Sequence, residues 1–286
     1  MLLNSLTFHG PQNLAEALSI YSEHESIKIQ AGGTFLLNAL KLLKKKGAKT
    51  PEHVLSLQYV KELKGVEADQ NQLTIKSMTT IDELAASAHL KDHFSVLRLV
   101  CKNISTQPIR NMATVGGNLT CRYTWTEMPA AMIGLQATLH FVGKNGEEEN
   151  LSAEQFYLNQ AKTDKILTHL TVPRNPNSLI AYQRVRKTQG VDIPLLSLMI
   201  HTTLKGNVLD RTIVSVNNCV QFAQRDKSLE NYLNGKQLRE VNPDQALDHM
   251  EKSIYDTRSD DYKKYMFRYC IKNALKDILN QAKQKR

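Results

Sequence analysis

Two glycine pairs, far apart in this chain, have the residue types and spacing most suggestive of chemistry. The first lies in residues 31–34, Ala-Gly-Gly-Thr, and the second in residues 109–119, Ile-Arg-Asn-Met-Ala-Thr-Val-Gly-Gly-Asn-Leu. Paired glycines let a backbone approach a ligand closely and adopt positive φ without steric cost. Consecutive N–H groups in such loops form concave sites for anions. Two such loops suit a ligand with an extended phosphate linker held between two lobes, which indicates a dinucleotide.

Each glycine pair also has a purely structural explanation. A single pair is most often a plain turn, and this explanation is the better one for residues 31–34 taken alone. In the second segment Thr114 offers a hydroxyl and Asn118 an amide, either to a ligand or to the local backbone. The residues by themselves leave ligand binding and a tight helix connection equally open for this segment.

The elements around the first pair have the order that an anion site requires. Pro11 starts a predicted helix with apolar residues spaced i, i+3, i+4, i+7, and residues 27–31 alternate as a strand. The glycine pair follows, then a helix over about residues 34–46 and a strand over 53–57. A strand, glycine turn and helix in sequence point backbone N–H groups at a phosphate.

The rest of the chain divides by pattern into two further parts. Hairpins and short helices predict a second domain over residues 58–173, after a first domain over 1–57. Residues 173–177, Pro-Arg-Asn-Pro-Asn, read as a linker. Beyond it, three antiparallel strands and then helices predict a C-terminal α+β domain over residues 178–286. The strands are predicted at residues 180–185, 195–204 and 208–216, and the helices at 223–233, 243–254 and from about 260 onward.

Composition narrows the function classes. The chain has 286 residues, of which 41% are hydrophobic and 23% charged, and its net charge is +9. Lysines and arginines are spread along the whole chain, so a nucleic-acid partner is disfavoured relative to an anionic cofactor or an acidic partner subunit. We find neither a membrane-spanning stretch nor a signal peptide, and we expect a cytoplasmic protein.

The metal-ligating residue types show no pattern. The four cysteines have no C-x-x-C spacing, so we predict reduced, mostly buried thiols and no iron–sulfur or zinc site in this chain. The nine histidines are scattered and predict no metal site. No G-x-G-x-x-G, P-loop or G-x-S-x-G motif is present, which leaves a Rossmann fold unsupported.

Several segments of the chain together resemble the motifs of one known family. Residues 109–119 resemble the I-R-N-x-A-T-x-G-G-N-L signature of the FAD-binding medium subunit of molybdenum hydroxylases, the xanthine dehydrogenase and aerobic carbon monoxide dehydrogenase type. Residues 31–34 are similar to that family's A-G-G-T/H loop, and residues 164–173 to its D-E-I-L-x-x-I-x-x-P strand. Residues 182–192 resemble its Y-x-K-x-x-R and D-x-A run, and residues 256–263 its D-x-R-G-S-x-x-Y-R segment. The matches run in order over nearly the whole chain.

The resemblance implies an α+β fold in which two N-terminal subdomains hold FAD and a C-terminal domain with a three-stranded sheet covers the flavin end. It implies an oxidoreductase subunit that takes electrons from a [2Fe-2S] small subunit, beside a molybdopterin-binding large subunit, in a dimer of heterotrimers. The acceptor would be NAD, oxygen or another molecule. It implies no catalytic acid or base in this chain. The implied cofactor-binding residues are Ala31, Gly32, Gly33, Thr34, Phe35, Leu36, Thr114, Gly116, Gly117, Asn118, Thr124, Glu127, Ile166, Leu167 and Arg184.

Three departures from the family pattern bear on this site. Phe35 stands where Asp or Ser is common, Arg184 where a lysine is usual, and Glu127 where the family has Asp. As a flavin ligand, Glu127 would accept a hydrogen bond from a ribityl hydroxyl; as an N-terminal helix charge, it would act only through the dipole. The departures at Phe35 and over residues 120–127 motivate a rival hypothesis, a scaffold subunit that binds flavin poorly. A stand-alone flavin oxidase is a third, less favoured hypothesis.

Overall fold

The structure, a computed structural model, contains three β-sheets with helices between and around them. It describes residues 3–124, 126–159, 163–188, 190, 193–219 and 222–285. Trp125 and Asp192, which belong to segments interpreted above, lie outside the described residues. Within the described residues, every helix is too short or too polar to span a lipid bilayer.

The N-terminal part is a three-stranded parallel sheet with two helices. Its elements are β1 (Thr7–His9), α1 (Leu14–Glu23), β2 (Ile27–Gln30), α2 (Leu36–Lys45) and β3 (His53–Ser56), with strand order β1-β3-β2. Asn13 caps α1 by accepting a hydrogen bond from the Glu16 amide at 2.8 Å. The predicted apolar spacing is confirmed, because α1 buries Ala17 and Tyr21 against the sheet.

The middle part is a five-stranded antiparallel sheet with six helices, in the strand order β4-β5-β8-β6-β7. Its elements are β4 (Val66–Ala68), β5 (Gln72–Lys76), α3 (Ile81–Ala86), α4 (Ser95–Asn103), α5 (Gln107–Arg110), α6 (Val115–Thr120), α7 (Met128–Gly134), β6 (Thr138–Val142), β7 (Glu148–Ser152), α8 (Ala153–Leu158) and β8 (Ile166–Pro173). Two helices of this part begin with capping boxes, α3 at Thr80 with Glu83 and α8 at Ser152 with Gln155.

The C-terminal part is an antiparallel sheet covered by helices. Its elements are β9 (Leu179–Val185), β10 (Leu196–Lys205), β11 (Val208–Asn217), β12 (Gln224–Arg225), α9 (Lys227–Leu233), α10 (Pro243–Ala246), α11 (Lys252–Asp256) and α12 (Asp261–Gln284). The α+β class is confirmed, but the sheet has four strands in the order β12-β11-β10-β9 rather than the predicted three. The extra strand is two residues long, too short to give a periodic signal in the sequence.

Two predicted helices of this part have different bounds. The helix predicted over residues 223–233 begins only at Lys227, where Asp226 caps it. The helix predicted over residues 243–254 is broken into α10, a 3-10 turn at Leu247–His249, and α11. Apolar spacing alone does not show such breaks, since each piece keeps its apolar face inward.

The helix α7 lies in the core between the middle and C-terminal sheets. All seven of its residues are buried. Ser215 donates a hydrogen bond to the Ala130 carbonyl at 2.7 Å, and His201 Nδ1 lies 2.7 Å from the Gly134 carbonyl oxygen. The Gly134 carbonyl is one that the helix leaves open at its end, and the Ala130 carbonyl gains a second donor, so the C-terminal sheet positions α7 and the segment before it.

Candidate functional site

The first glycine pair connects β2 to α2 and leaves its backbone donors open. Gly33 has φ of +71°, a conformation that side chains rarely adopt. The N–H groups of Gly32, Gly33 and Thr34 donate no hydrogen bond to any described residue. Together with the start of α2, these donors form the arrangement that favours an anion.

The second glycine pair lies inside the short helix α6 rather than in an open loop. Thr114, which is buried, caps this helix by accepting from the Gly117 amide at 3.1 Å. The Gly116 amide donates to the Ser77 carbonyl at 2.8 Å, and the Asn118 amide to the Thr114 carbonyl at 2.9 Å. The expectation of a second nest of free N–H groups is therefore wrong, because the protein itself accepts these hydrogen bonds. Neither Gly116 nor Gly117 has positive φ.

Close packing requires glycine at two of the four positions and leaves little space at a third. A Cβ atom on Gly32 would lie 1.9 Å from the Met112 carbonyl oxygen, and one on Gly116 would lie 2.7 Å from the Ser77 Cβ. A Cβ atom on Gly117 would lie 3.3 Å from that of Ala31. The two glycine segments consequently touch and form one continuous surface, although the sequence separates them widely.

The Asn118 side chain supplies an acceptor to this surface. Its Oδ1 atom is buried and has no hydrogen-bond partner among the described residues. An unsatisfied buried acceptor costs about 1–3 kcal/mol, so a ligand donor at this position would be stabilising. Open N–H groups, glycines in close contact and an unpartnered buried amide oxygen fit a nucleotide ligand.

Arg110, from the same motif, has a structural role. It donates to the Ile104 carbonyl at 3.0 Å and the Ser105 carbonyl at 3.1 Å, and it pairs with Asp82 at 3.7 Å. These contacts hold the turn before α5, where Ser105 has positive φ. The side chain therefore fixes the course of the segment.

Residues 120–124 join the two glycine segments through an aromatic contact. The rings of Phe35 and Tyr123 lie 4.2 Å apart between centroids, at an interplanar angle of 50°. Burial and the nearby Cys121 thiol raise the pKa of Tyr123. Phe35 is 37% exposed, so this ring pair forms part of the surface beside the first glycine loop. Thr124 lies in the turn that follows.

Glu127 and Arg184 form a buried ion pair. The Arg184 Nε atom donates to Glu127 Oε1 at 2.9 Å, and each side chain is 5% exposed. Neither role considered above for Glu127, as a flavin ligand or as a helix charge, includes Arg184, which lies on β9 of the C-terminal sheet. Burial and the Glu127 charge raise the pKa of the neighbouring Tyr182 well above its ordinary value. The pair ties the segment before α7 to the C-terminal domain and neutralises the cation expected near the flavin ring.

The remaining predicted site residues are placed as follows. Ile166 and Leu167 are buried at the start of β8; Ile166 packs into the N-terminal core and Leu167 into the middle core. Leu36 is the first residue of α2 and is half-buried. The sequence analysis did not identify Ser77 and Met112. The Ser77 carbonyl accepts a hydrogen bond from the Gly116 amide, and the Met112 carbonyl lies against Gly32. Neither residue has a side-chain signal, because backbone atoms make the contact.

Three histidines that appear scattered in the sequence lie together in the structure. The possible ligand nitrogens of His9, His24 and His53 all lie within 4.8 Å of one another. The prediction that the histidines offer no metal site did not anticipate this cluster, since its members come from β1, from the end of α1 and from β3. No spacing rule covers residues that only tertiary packing brings together.

Comparison with known proteins identifies relatives of the whole chain. The sequence profile of the family described as FAD binding domain in molybdopterin dehydrogenase matches residues 4–175. The chain is 25% identical over 278 residues to the carbon monoxide dehydrogenase medium chain of Hydrogenophaga pseudoflava, covering 94% of this chain and 95% of that protein. It is 22% identical to the nicotinate dehydrogenase FAD-subunit of Eubacterium barkeri, with 98% of each chain covered.

Solved structures show the same fold. A carbon monoxide dehydrogenase structure from Hydrogenophaga pseudoflava superposes with a TM-score of 0.86 at 24% identity, over 97% of this chain and 98% of that chain. A quinoline 2-oxidoreductase structure from Pseudomonas putida 86 superposes with a TM-score of 0.85 at 19% identity, over 99% of each chain. The three-part architecture described above is therefore shared along the full length.

Proposed function

We propose that this chain delivers electrons through its flavin within a multi-subunit molybdenum hydroxylase. The chain belongs to the family described as FAD binding domain in molybdopterin dehydrogenase. FAD is its cofactor, and the relatives are dehydrogenase and oxidoreductase subunits. The proposed partners are a molybdopterin-binding large subunit and a [2Fe-2S] small subunit, assembled as a dimer of heterotrimers. The [2Fe-2S] partner would supply electrons, and NAD, oxygen or another acceptor would receive them.

The observation that carries the proposal is the continuous surface made by the two glycine segments, within a chain whose family binds FAD. Gly32 against Met112 leaves no room for a side chain between the segments, and Gly117 against Ala31 leaves little. The open N–H groups at residues 32–34 would bind the pyrophosphate, and Asn118 Oδ1 would accept a hydrogen bond from the cofactor.

We extend this proposal to all fifteen residues named above and to the domain division at residues 1–57, 58–173 and 178–286. The open N–H groups of the first glycine segment would hold the phosphates, and α6 would contact neighbouring groups through Asn118. Phe35 and Tyr123 would shield one side of the site from water, and Arg184, held by Glu127, would lie near the ring end.

FAD supplies the redox chemistry when bound, by accepting and releasing electrons. The chain's own contribution is to bind, orient and shield the cofactor. The pairing of Arg184 with Glu127 means that this arginine brings little net charge to the site, since the carboxylate lies 2.9 Å from its Nε atom.

The test is purification of the tagged chain from its native cells, with metal and flavin analysis. We expect molybdenum and iron in the copurifying complex, and FAD in the supernatant after acid precipitation, because we find no motif for a covalent flavin link. The isolated chain should not hydroxylate a purine, an aldehyde or carbon monoxide. Hydroxylation by the isolated chain, or a colourless complex, would overturn the proposal.

A further inference from the structure

We propose that His9, His24 and His53 form a binding site for a divalent transition-metal ion, Zn²⁺ in the first place, separate from the flavin site. Their possible ligand nitrogens lie within 4.8 Å of one another. His9 Nε2 and His53 Nδ1 are 3.0 Å apart, and the rings of His24 and His53 stack with centroids 4.0 Å apart. All three side chains are half-buried.

The fold brings these residues together through strand register. In the parallel pair of β1 and β3, Thr7 pairs with His53 and His9 with Leu55. His9 and His53 are therefore two positions apart along adjacent strands, and side chains two positions apart lie on the same face of a sheet. His24 is the C-cap residue of α1, in the short connection that leads to β2. Three separate elements thus meet at the histidines.

The spacing suits zinc. Imidazole nitrogens bind Zn²⁺ at about 2.0–2.1 Å with tetrahedral geometry, which sets ligand nitrogens about 3.3 Å apart. His9 Nε2 and His53 Nδ1 are already near that separation. His24 would need a side-chain rotation to bring its nitrogen toward the shared point, since the three ligand nitrogens lie within 4.8 Å of one another. Three protein ligands leave a fourth position for water.

An ion can reach the site from solvent. His24 and His53 line an open cleft of about 630 Å³, together with Glu23, Glu25 and Glu52. These carboxylates favour the approach of a cation, although Lys28 and Lys49 also line the cleft. An accessible entry path and convergent ligands are two of the features that a metal site needs.

The site lies away from the glycine segments. His53 pairs with Ile27 at the start of β2, whereas the first glycine loop follows Gln30 at the end of that strand. The ion would connect β1, α1 and β3, in a sheet whose strands have three or four residues. Because a small core gains from an added cross-link, we infer a structural role for the metal.

The test uses the full-length chain after dialysis against a chelator. Co²⁺ is titrated while its visible absorption is followed, and Zn²⁺ is then added to displace it. We expect one ion per chain, a tetrahedral Co²⁺ spectrum, and a thermal midpoint that rises with added Zn²⁺. Replacing even an outer-shell partner costs about 10- to 100-fold in metal affinity, so His53→Ala should cost at least about 100-fold.

His169→Ala is the matched control, because His169 stacks on His140 at 4.2 Å in a cluster that lacks a third histidine. It should bind Zn²⁺ as the wild type does. His24→Ala provides a second variant outside any strand, should His53→Ala fold poorly. The proposal is overturned if the wild type binds no tighter than these two variants, or if the control loses affinity equally.

Discussion

The buried pair of Glu127 and Arg184 yields the sharpest energetic prediction. Each side chain is 5% exposed and the Nε–Oε1 distance is 2.9 Å. Removing one partner of a buried ion pair leaves an uncompensated charge and costs about 3–5 kcal/mol, whereas replacing both by apolar residues is often near neutral. We therefore expect Glu127→Ala and Arg184→Ala each to destabilise by about 3–5 kcal/mol, and the double variant Glu127→Leu/Arg184→Met to destabilise much less.

The assay is urea unfolding of the flavin-free protein, followed by circular dichroism and by tyrosine fluorescence to check that the two transitions coincide. The pair of Lys76 and Glu67, 3.7 Å apart with an exposed carboxylate, is the control, and Glu67→Ala should cost at most about 1 kcal/mol. Two outcomes would show that the two buried charges are not coupled: additive losses of unfolding free energy in the double variant, or a loss in Glu127→Ala no larger than that of the control.

Flavin titrations of the same variants separate the roles of Glu127. If its carboxylate also accepts a hydrogen bond from the cofactor, the loss of about 1.5–3 kcal/mol corresponds to a roughly tenfold to hundredfold weaker FAD affinity in Glu127→Ala. Glu127→Asp should lose less. Because Arg184 orients the carboxylate, Arg184→Ala should weaken FAD binding as well. Unchanged FAD affinity in destabilised variants would limit the pair to a structural role.

Three further changes test the rest of the structure. Gly32→Ala places a methyl group 1.9 Å from the Met112 carbonyl oxygen, so it should lower both the thermal midpoint and FAD retention; a wild-type midpoint would contradict the contact. Gly117→Val should separate its segment from Ala31, so the variant should lose FAD while its circular dichroism stays near that of the wild type. Full flavin retention would show that Gly117 has only a structural role. Burial lowers the folded-state pKa of His201 below 6.5, so the unfolded chain binds more protons just below that pH and stability falls on acidification through this window. We expect His201→Asn to reduce the slope of the unfolding free energy against pH, to which one group contributes at most about 1.4 kcal/mol per pH unit. Urea unfolding at a series of pH values measures this slope, and identical slopes in wild type and variant would exclude His201 as its source.

Much of the fold follows from local sequence signals. The capping boxes at Thr80 and Ser152 and the turn at Gly146 with φ of +85° follow from residue types within a few positions, although α1 begins at Leu14, after its cap Asn13, rather than at the predicted Pro11. These features depend on hydrogen bonds and torsions within a few residues, so neighbouring sequence is enough to specify them. The family signature likewise identified the cofactor, because its motif residues are contiguous.

Tertiary structure decided how those segments act. The glycines at 116 and 117 look like a nest in sequence, yet their N–H groups are satisfied by Ser77 and Thr114. Arg184 reaches Glu127 only because the C-terminal sheet packs against α7, and His9 meets His53 only through the register of two strands. The sequence determined most of the elements and the cofactor they serve, since those depend on local patterns. Packing between elements decides which distant side chains pair or come close together. The sequence of a single chain contains no local signal for such pairs.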